Sequence, residues 1–182
     1  MDLYFFNAIH NLAGKSRLLD FFGIFLADYF GYLLILAAIA LIAMESDWRK
    51  KFNYYAILAL SLILSRGILT ETIRFIYARP RPFTALGFDP LIIEIDRGAF
   101  PSGHAAFYFA LAGVMFLFNK KLGRRFIGAA ALMGLARVFV GVHWPLDIVG
   151  GAVVGLGSVW LIEKYLIPLK SDRSVGFKHK SA

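Results

Sequence analysis

The fold of this chain is organised by residues 101–118, PSGHAAFYFALAGVMFLF, in which a polar turn runs directly into an apolar helix. Pro101 keeps the preceding segment from continuing as helix, and Ser102 is a favoured N-cap residue. Gly103 lets a ligand approach the backbone, and His104 falls in the first helical turn. The unpaired N–H groups and the positive dipole end of that turn favour an anion. The stretch therefore predicts a helix that begins at an anion-binding turn.

The composition is that of an integral membrane protein. Hydrophobic residues make up 59% of the 182 residues and charged residues only 18%, and the mean hydropathy is +0.65. A soluble domain of this size rarely contains so much apolar sequence. The net charge of +8 lies mostly in short segments between apolar runs, which favours contact with anionic lipid over nucleic acid binding. The chain has no cysteine, which excludes disulfides.

The apolar runs predict an all-α, polytopic membrane helix bundle of five or six transmembrane helices. Residues 3–12 are too short to span and predict an amphipathic helix on the membrane surface. Spans are predicted at residues 18–44 (its second half), 53–77, 102–118, 126–142 and 146–167. The sequence does not decide whether residues 3–28 form a surface helix or help to make a sixth span. We expect residues 1–169 to form a single integral membrane domain and residues 170–182 to form a polar, basic tail.

Five spans would place the basic links 45–52 and 119–125 on one side of the membrane, which the positive-inside rule makes cytoplasmic. The loop 78–101, the start of the third span and the break at 143–147 would then share the opposite face. Arginines in the 78–101 loop contradict that rule unless they are kept for a local purpose such as anion binding.

Four groups of polar residues converge on that face. They are Arg74 with Arg79 and Arg81, then Ser102-Gly103-His104, then Arg137, and then His143 with Asp147. An arginine at the membrane edge is costly and indicates function. Glu71 lies one turn before Arg74 and is placed to hold its guanidinium by an i,i+3 ion pair. A purely structural pair of these two residues would leave Arg79 and Arg81 unexplained.

These residue types suit phosphoryl transfer. Guanidinium and backbone N–H groups bind a tetrahedral oxyanion and stabilise its transition state. A histidine oriented by a carboxylate, as in His143 with Asp147, serves as a base or nucleophile, and His104 is then available to protonate a leaving oxygen. The two histidines and Asp147 are also possible metal ligands, although three nearby arginines would repel a divalent cation.

The three motifs resemble the signature of the type 2 phosphatidic acid phosphatase superfamily. They are Arg74-x6-Arg81-Pro82, Pro101-Ser102-Gly103-His104 and Arg137-x5-His143-x3-Asp147. Their order and internal spacing agree with that signature, and the resemblance covers residues 72–150 closely.

This resemblance implies a mechanism. His143 attacks phosphorus and forms a phosphohistidine, Asp147 orients His143, and His104 protonates the leaving lipid oxygen and then helps to activate water. The phosphate oxygens are held by Arg74, Arg81, Arg137, Ser102 and Gly103. The family uses no metal, so no cofactor is expected.

Two residues depart from the usual pattern. Arg74 replaces a lysine, which keeps the charge but changes the donor geometry. Ala136 stands where a serine is expected before Arg137. The missing phosphate hydrogen bond is then left to Arg79 or to the backbone, which makes Arg79 a further candidate phosphate ligand.

The small membrane form with Thr70-Glu71 and Arg79-Pro80-Arg81-Pro82-Phe83 looks most like bacterial undecaprenyl-diphosphate phosphatases. This resemblance implies recycling of the cell-wall lipid carrier on the extracytoplasmic face of the cell (plasma or inner) membrane. One alternative is a phosphatase for phosphatidylglycerophosphate or phosphatidic acid. An alternative of another class is an inactive membrane protein that binds anionic lipid head groups. The expected partners are a lipid phosphate and the bilayer, and the preferred lipid, the oligomeric state and the envelope type stay open.

Overall fold

The computed structural model describes residues 1–169, and these form seven helices. The helices are α1 (Asp2–His10), α2 (Arg17–Ala43), α3 (Trp48–Ile76), α4 (Pro82–Leu86), α5 (Gly103–Phe118), α6 (Lys120–Phe139) and α7 (Pro145–Tyr165). The predicted all-α membrane bundle is confirmed. The predicted basic tail at 170–182 lies outside the described residues.

Five of the helices are long. By length and composition α2, α3 and α7 are able to cross a membrane, α5 is a shorter apolar helix, and α6 has 20 residues with a basic start. Because α2 is one helix beginning at Arg17 and α1 is separate, residues 3–28 form no sixth span. Both α2 and α3 pass through a π-helical segment, at Phe25–Tyr29 and Ile63–Leu69 respectively.

Two predicted loops were wrong in the same way. The basic segment 119–125 is the first part of α6, because the side chain of Asn119 accepts hydrogen bonds from the N–H groups of Lys121 and Leu122. Asp47 likewise caps α3, which begins at Trp48 rather than near residue 53. Lysine and arginine are good helix formers, so their charge marked the membrane edge and not the end of the helix.

The core is built around α5, whose side chains are buried along most of its length. Helix α7 approaches it closely at Gly151 and Gly155. A Cβ atom at Gly151 would lie 2.5 Å from the Ser102 carbonyl oxygen, and one at Gly155 would lie 2.4 Å from the Ala106 carbonyl oxygen. The small-xxx-small spacing in α7 therefore serves backbone contact between the two helices.

One end of the bundle gathers the predicted polar residues. The Ser102 N–H donates to the Asp147 carbonyl oxygen at 2.9 Å, which joins the starts of α5 and α7. The Arg74 side chain reaches the Pro101 carbonyl oxygen from the end of α3. At the opposite end, the rings of Tyr54 and Phe118 meet edge to face, so the basic starts of α3 and α6 lie away from the polar residues.

Candidate active site

His143 lies fully buried in the turn between α6 and α7. Its Nδ1 atom is 3.4 Å from Asp147 Oδ2, and the same carboxylate oxygen accepts a hydrogen bond from the Trp144 N–H at 2.8 Å. Pro145 begins α7, so Asp147 falls in the first turn and its carboxylate folds back, as the spacing predicts. The other ring nitrogen, Nε2, is buried and has no hydrogen-bond partner among residues 1–169. The imidazole is therefore held at Nδ1, and its Nε2 has no partner among residues 1–169.

Arg79 holds the other oxygen of Asp147. Its Nη1 donates to Asp147 Oδ1 at 2.8 Å, its Nη2 donates to Asp2 Oδ2 at 2.6 Å, and its guanidinium lies 5.2 Å from the centre of the Trp144 ring. The structure thus places Arg79 against Asp147 and Asp2. Its role as a phosphate ligand stays a prediction.

Arg74 is buried at the end of α3 and donates from Nε and Nη2 to the Pro101 carbonyl oxygen, at 3.2 and 3.0 Å. Its Nη1 is 3.7 Å from Glu71 Oε1, so the predicted i,i+3 pair is present. Glu71 makes a closer contact with Arg66, which sequence reasoning overlooked. The carboxylate therefore lies between two arginines instead of serving Arg74 alone.

Arg81 and Arg137 meet at the carboxylate of Glu94. Arg81 Nη2 is 3.5 Å from Glu94 Oε1, and Arg137 Nη2 donates to Glu94 Oε2. Arg81 also donates to the Val142 carbonyl oxygen at 3.3 Å, and Arg137 Nη1 pairs with Asp28 at 3.4 Å. An oxyanion between two guanidinium groups is the arrangement that a bound phosphate requires. No motif in the sequence marked Glu94 or Asp28 as neighbours of these arginines.

The start of α5 has the predicted geometry. Ser102 is buried, and its hydroxyl accepts a hydrogen bond from the Ala105 N–H at 3.4 Å, so it caps the helix. Ala136, in place of the expected serine, is buried in an apolar cluster with Ala27 and Ile92. The residue before Arg137 therefore contributes to packing.

An open cleft of about 390 Å³ joins the arginines to the start of α5. Its polar lining includes Arg66, Arg74, Arg81, Glu94 and His104. Neither Arg66 nor Glu94 was singled out from the sequence. A signal for Arg66 was available, since it is a single charge inside the apolar run 57–69.

The charges around the turn control the protonation of His143. Burial lowers the pKa of His143 well below its usual value, and the cations of Arg137, Arg81 and Arg74 lower it further. The imidazole is therefore neutral near pH 7, with a lone pair on Nε2 when Nδ1 carries the proton toward Asp147. Burial also lowers the pKa of Arg81, whereas for Arg79 the carboxylates of Asp2 and Asp147 outweigh burial and raise the pKa.

The arrangement combines a neutral, oriented imidazole with a cluster of guanidinium groups and a helix N-terminus. These groups have the chemistry needed to bind a tetrahedral oxyanion and to present a nucleophile to it. Within residues 1–169, no three or more histidine, aspartate or glutamate side chains are grouped to hold a metal ion.

Known proteins match this chain over most of its length. The sequence profile of the PAP2 superfamily matches residues 54–168. Undecaprenyl-diphosphatase BcrC of Bacillus subtilis is 32% identical over 158 residues, which cover 86% of this chain and 79% of that protein. The lipid A 4'-phosphatase of Bacteroides thetaiotaomicron is 28% identical over 95% of this chain and 80% of its own length. The crystal structure of Aquifex aeolicus LpxE superposes with a TM-score of 0.73 at 29% identity, covering 90% of this chain and 95% of that chain.

Proposed function

The chain belongs to the PAP2 superfamily, and from that membership we propose that it removes the terminal phosphate of undecaprenyl diphosphate through a phosphohistidine intermediate. It is a multi-pass membrane phosphatase of this family. The choice of substrate is supported by the similarity to BcrC of Bacillus subtilis, which is named as an undecaprenyl-diphosphatase. The single observation that supports the chemistry most directly is the buried, unpartnered Nε2 of His143, whose other ring nitrogen faces Asp147.

In the first step, His143 Nε2 attacks the terminal phosphorus, and the bond from that phosphorus to the bridging oxygen breaks. The electron pair stays on the bridging oxygen, which receives a proton from His104 and leaves as undecaprenyl phosphate. Asp147 supports the positive charge that develops on the His143 ring, and Arg79 holds Asp147 in place. Arg74, Arg81 and Arg137 stabilise the charge on the transferred phosphoryl group.

In the second step, water attacks the phosphohistidine while His104 accepts the water proton. Inorganic phosphate leaves and His143 is restored as a neutral imidazole. Glu94 must leave Arg81 and Arg137 before phosphate oxygens bind both of them, because its carboxylate contacts both guanidinium groups in this structure. The chain supplies every acid, base and nucleophile of this scheme, so we propose that the reaction needs no metal.

The proposal places the site on the extracytoplasmic face of the cell membrane. Its support is the position of the basic starts of two helices. The basic starts of α3 and α6 lie at the end opposite the site, and basic segments remain in the cytoplasm.

The direct test is phosphate release from four lipids in detergent: undecaprenyl diphosphate, phosphatidylglycerophosphate, phosphatidic acid and lipid A. We expect undecaprenyl diphosphate to be the best substrate, and His143→Ala to reduce release by at least about a thousandfold. His10→Ala is the matched control, since His10 contacts the Phe139 carbonyl oxygen outside the site. Release should persist in EDTA, and radiolabelled phosphate should be trapped on the wild-type protein but not on His143→Ala.

The outcomes separate the alternatives. If phosphate is released from a glycerol lipid or lipid A but not from undecaprenyl diphosphate, the proposed substrate is wrong and the proposed chemistry still holds. Equal behaviour of wild type and His143→Ala in binding lipid head groups, with no release by either, would instead favour an inactive binder.

A further inference from the structure

Arg66 is a charged residue well inside a membrane-spanning helix. It stands ten residues before Ile76, the end of α3, which is about 15 Å along the helix axis. It also lies in the middle of the π-helical segment Ile63–Leu69. Charged residues within spans are rare and face a functional cavity, and π-helical turns are frequent at functional sites. Its side chain is 43% exposed, so it faces open space rather than the helix core.

Arg66 lies directly against the start of α5. A Cβ atom added at Gly103 would be 2.5 Å from Arg66 Nε, so the missing side chain at Gly103 makes room for this guanidinium. Arg66 and His104 line the polar cleft together with Arg74 and Arg81. The two also line an adjoining hollow of about 250 Å³ with Phe107 and Tyr108. Arg66 and His104 thus mark the border between an arginine-rich cleft and a hollow walled by aromatic rings.

The contact with Glu71 orients Arg66 and leaves some of its N–H donors free to bind a ligand. Arg66 Nη1 donates to Glu71 Oε1, which is also 3.7 Å from Arg74 Nη1. A guanidinium carries five N–H donors, and one carboxylate oxygen uses only part of them. A salt bridge on the lipid face would need neither the space at Gly103 nor the shared border with His104.

We propose that Arg66 binds the non-transferred phosphate of a lipid diphosphate and so selects diphosphates over phosphate monoesters. This inference rests on the proposed function, in which His104 protonates the bridging oxygen. The group attached to that oxygen lies beside His104, and Arg66 lines both the cleft and the adjoining hollow next to His104. In a diphosphate this group is a second phosphate, which is negatively charged. In a monoester it is an uncharged lipid carbon, which gives Arg66 nothing to bind.

The test compares binding of two probes by calorimetry, methylenediphosphonate and inorganic phosphate, so that it does not depend on turnover. Arg66→Gln should weaken the binding of methylenediphosphonate about ten- to hundredfold, which is the effect of losing a hydrogen bond to a charged group. The affinity for inorganic phosphate should change by less than about threefold, because Arg74, Arg81 and Arg137 still hold it. The affinity of Arg66→Lys for methylenediphosphonate should fall between those of wild type and Arg66→Gln, since lysine keeps the charge and loses the planar donor pair.

Arg125→Gln is the matched control, an exposed arginine near the start of α6 at the opposite end of the bundle. Equal weakening of both probes by Arg66→Gln, or no change in either, would overturn the proposal. The same follows if wild type binds methylenediphosphonate no better than phosphate. Because the probes report binding alone, a wild type that binds them as expected but releases no phosphate from undecaprenyl diphosphate would refute the proposed function and leave the phosphate subsite standing.

Discussion

At the scale of single residues, His143 and Asp147 are placed by local sequence and tuned by distant residues. Their four-residue separation across Pro145 sets the 3.4 Å contact between Nδ1 and Oδ2. The charge state of His143 depends on Arg74, Arg81 and Arg137, which come from three other parts of the chain. Burial and the same arginines that are proposed to bind phosphate therefore keep the proposed nucleophile neutral.

The lowered pKa of His143 predicts the acid limb of the activity profile. Because the pKa in the folded protein lies below about 6.5, His143 stays neutral as the pH falls through that value and is protonated only at lower pH. The acid limb of kcat/KM, which reports the free enzyme, should therefore have its midpoint below pH 6.5. The ionisation of the substrate, followed by phosphorus NMR in the same detergent, is the control. A midpoint at or above pH 6.5 that is not due to the substrate would contradict the prediction.

Arg79 is expected to act on turnover and not on substrate binding. Arg79→Gln removes a charge-assisted hydrogen bond to Asp147, worth about 1.5–3 kcal/mol, so kcat should fall about ten- to hundredfold. KM should change little, because both terminal nitrogens of Arg79 are paired with Asp147 and Asp2. Asp2→Asn is the matched control, since it weakens the other partner of Arg79 and leaves the contact with Asp147. A rise in KM with unchanged kcat would instead make Arg79 a phosphate ligand.

At the scale of elements, the segment between α4 and α5 brings acidic residues onto the arginines. The Leu91 N–H donates to the Val140 carbonyl oxygen at 3.0 Å and ties the segment to the end of α6. Ile93 and Ile95 are exposed at 102% and 64%, on either side of the half-buried Glu94. Two exposed apolar side chains thus flank the carboxylate that contacts Arg81 and Arg137. Binding of phosphate and release of this segment are expected to be linked.

Glu94→Gln should therefore tighten phosphate binding. The neutral side chain competes less for Arg81 and Arg137, and orthovanadate, a mimic of the phosphoryl transition state, should inhibit at about tenfold lower concentration. Asp89→Asn, an exposed position on the same segment, controls for the loss of one negative charge. Weaker inhibition in Glu94→Gln would show that Glu94 positions the arginines and does not compete for them.

At the scale of the whole molecule, five long helices bring four separate polar segments to one end of the bundle. Helix α5 is the centre of this arrangement, because α7 approaches it through Gly151 and Gly155 and α3 reaches it through Arg74. The site is therefore built at the meeting of helix ends, where a membrane protein has access to both lipid and water.

The orientation in the membrane is testable because the natural chain has no cysteine. Single variants Ser46→Cys, in the link before α3, and Asp89→Cys, on the segment at the site end, are exposed at opposite ends of the bundle. In intact spheroplasts a membrane-impermeant maleimide should label Asp89→Cys, and it should label Ser46→Cys only after permeabilisation. The reverse pattern would place the site in the cytoplasm and contradict its proposed extracytoplasmic position.

Local sequence was enough to predict the helical membrane bundle, the capped start of α5 and the pairing of His143 with Asp147. Each of these depends on residues that are close along the chain, where spacing and helix geometry decide the outcome. The tertiary structure alone decided which charges meet across the bundle. Arg66 against Gly103, Glu94 between Arg81 and Arg137, and Asp2 on Arg79, 77 residues away, follow from how helices pack. The turn at residues 101–104 was predictable from the sequence, but its contact with Arg66 was not, because no local spacing connects the two.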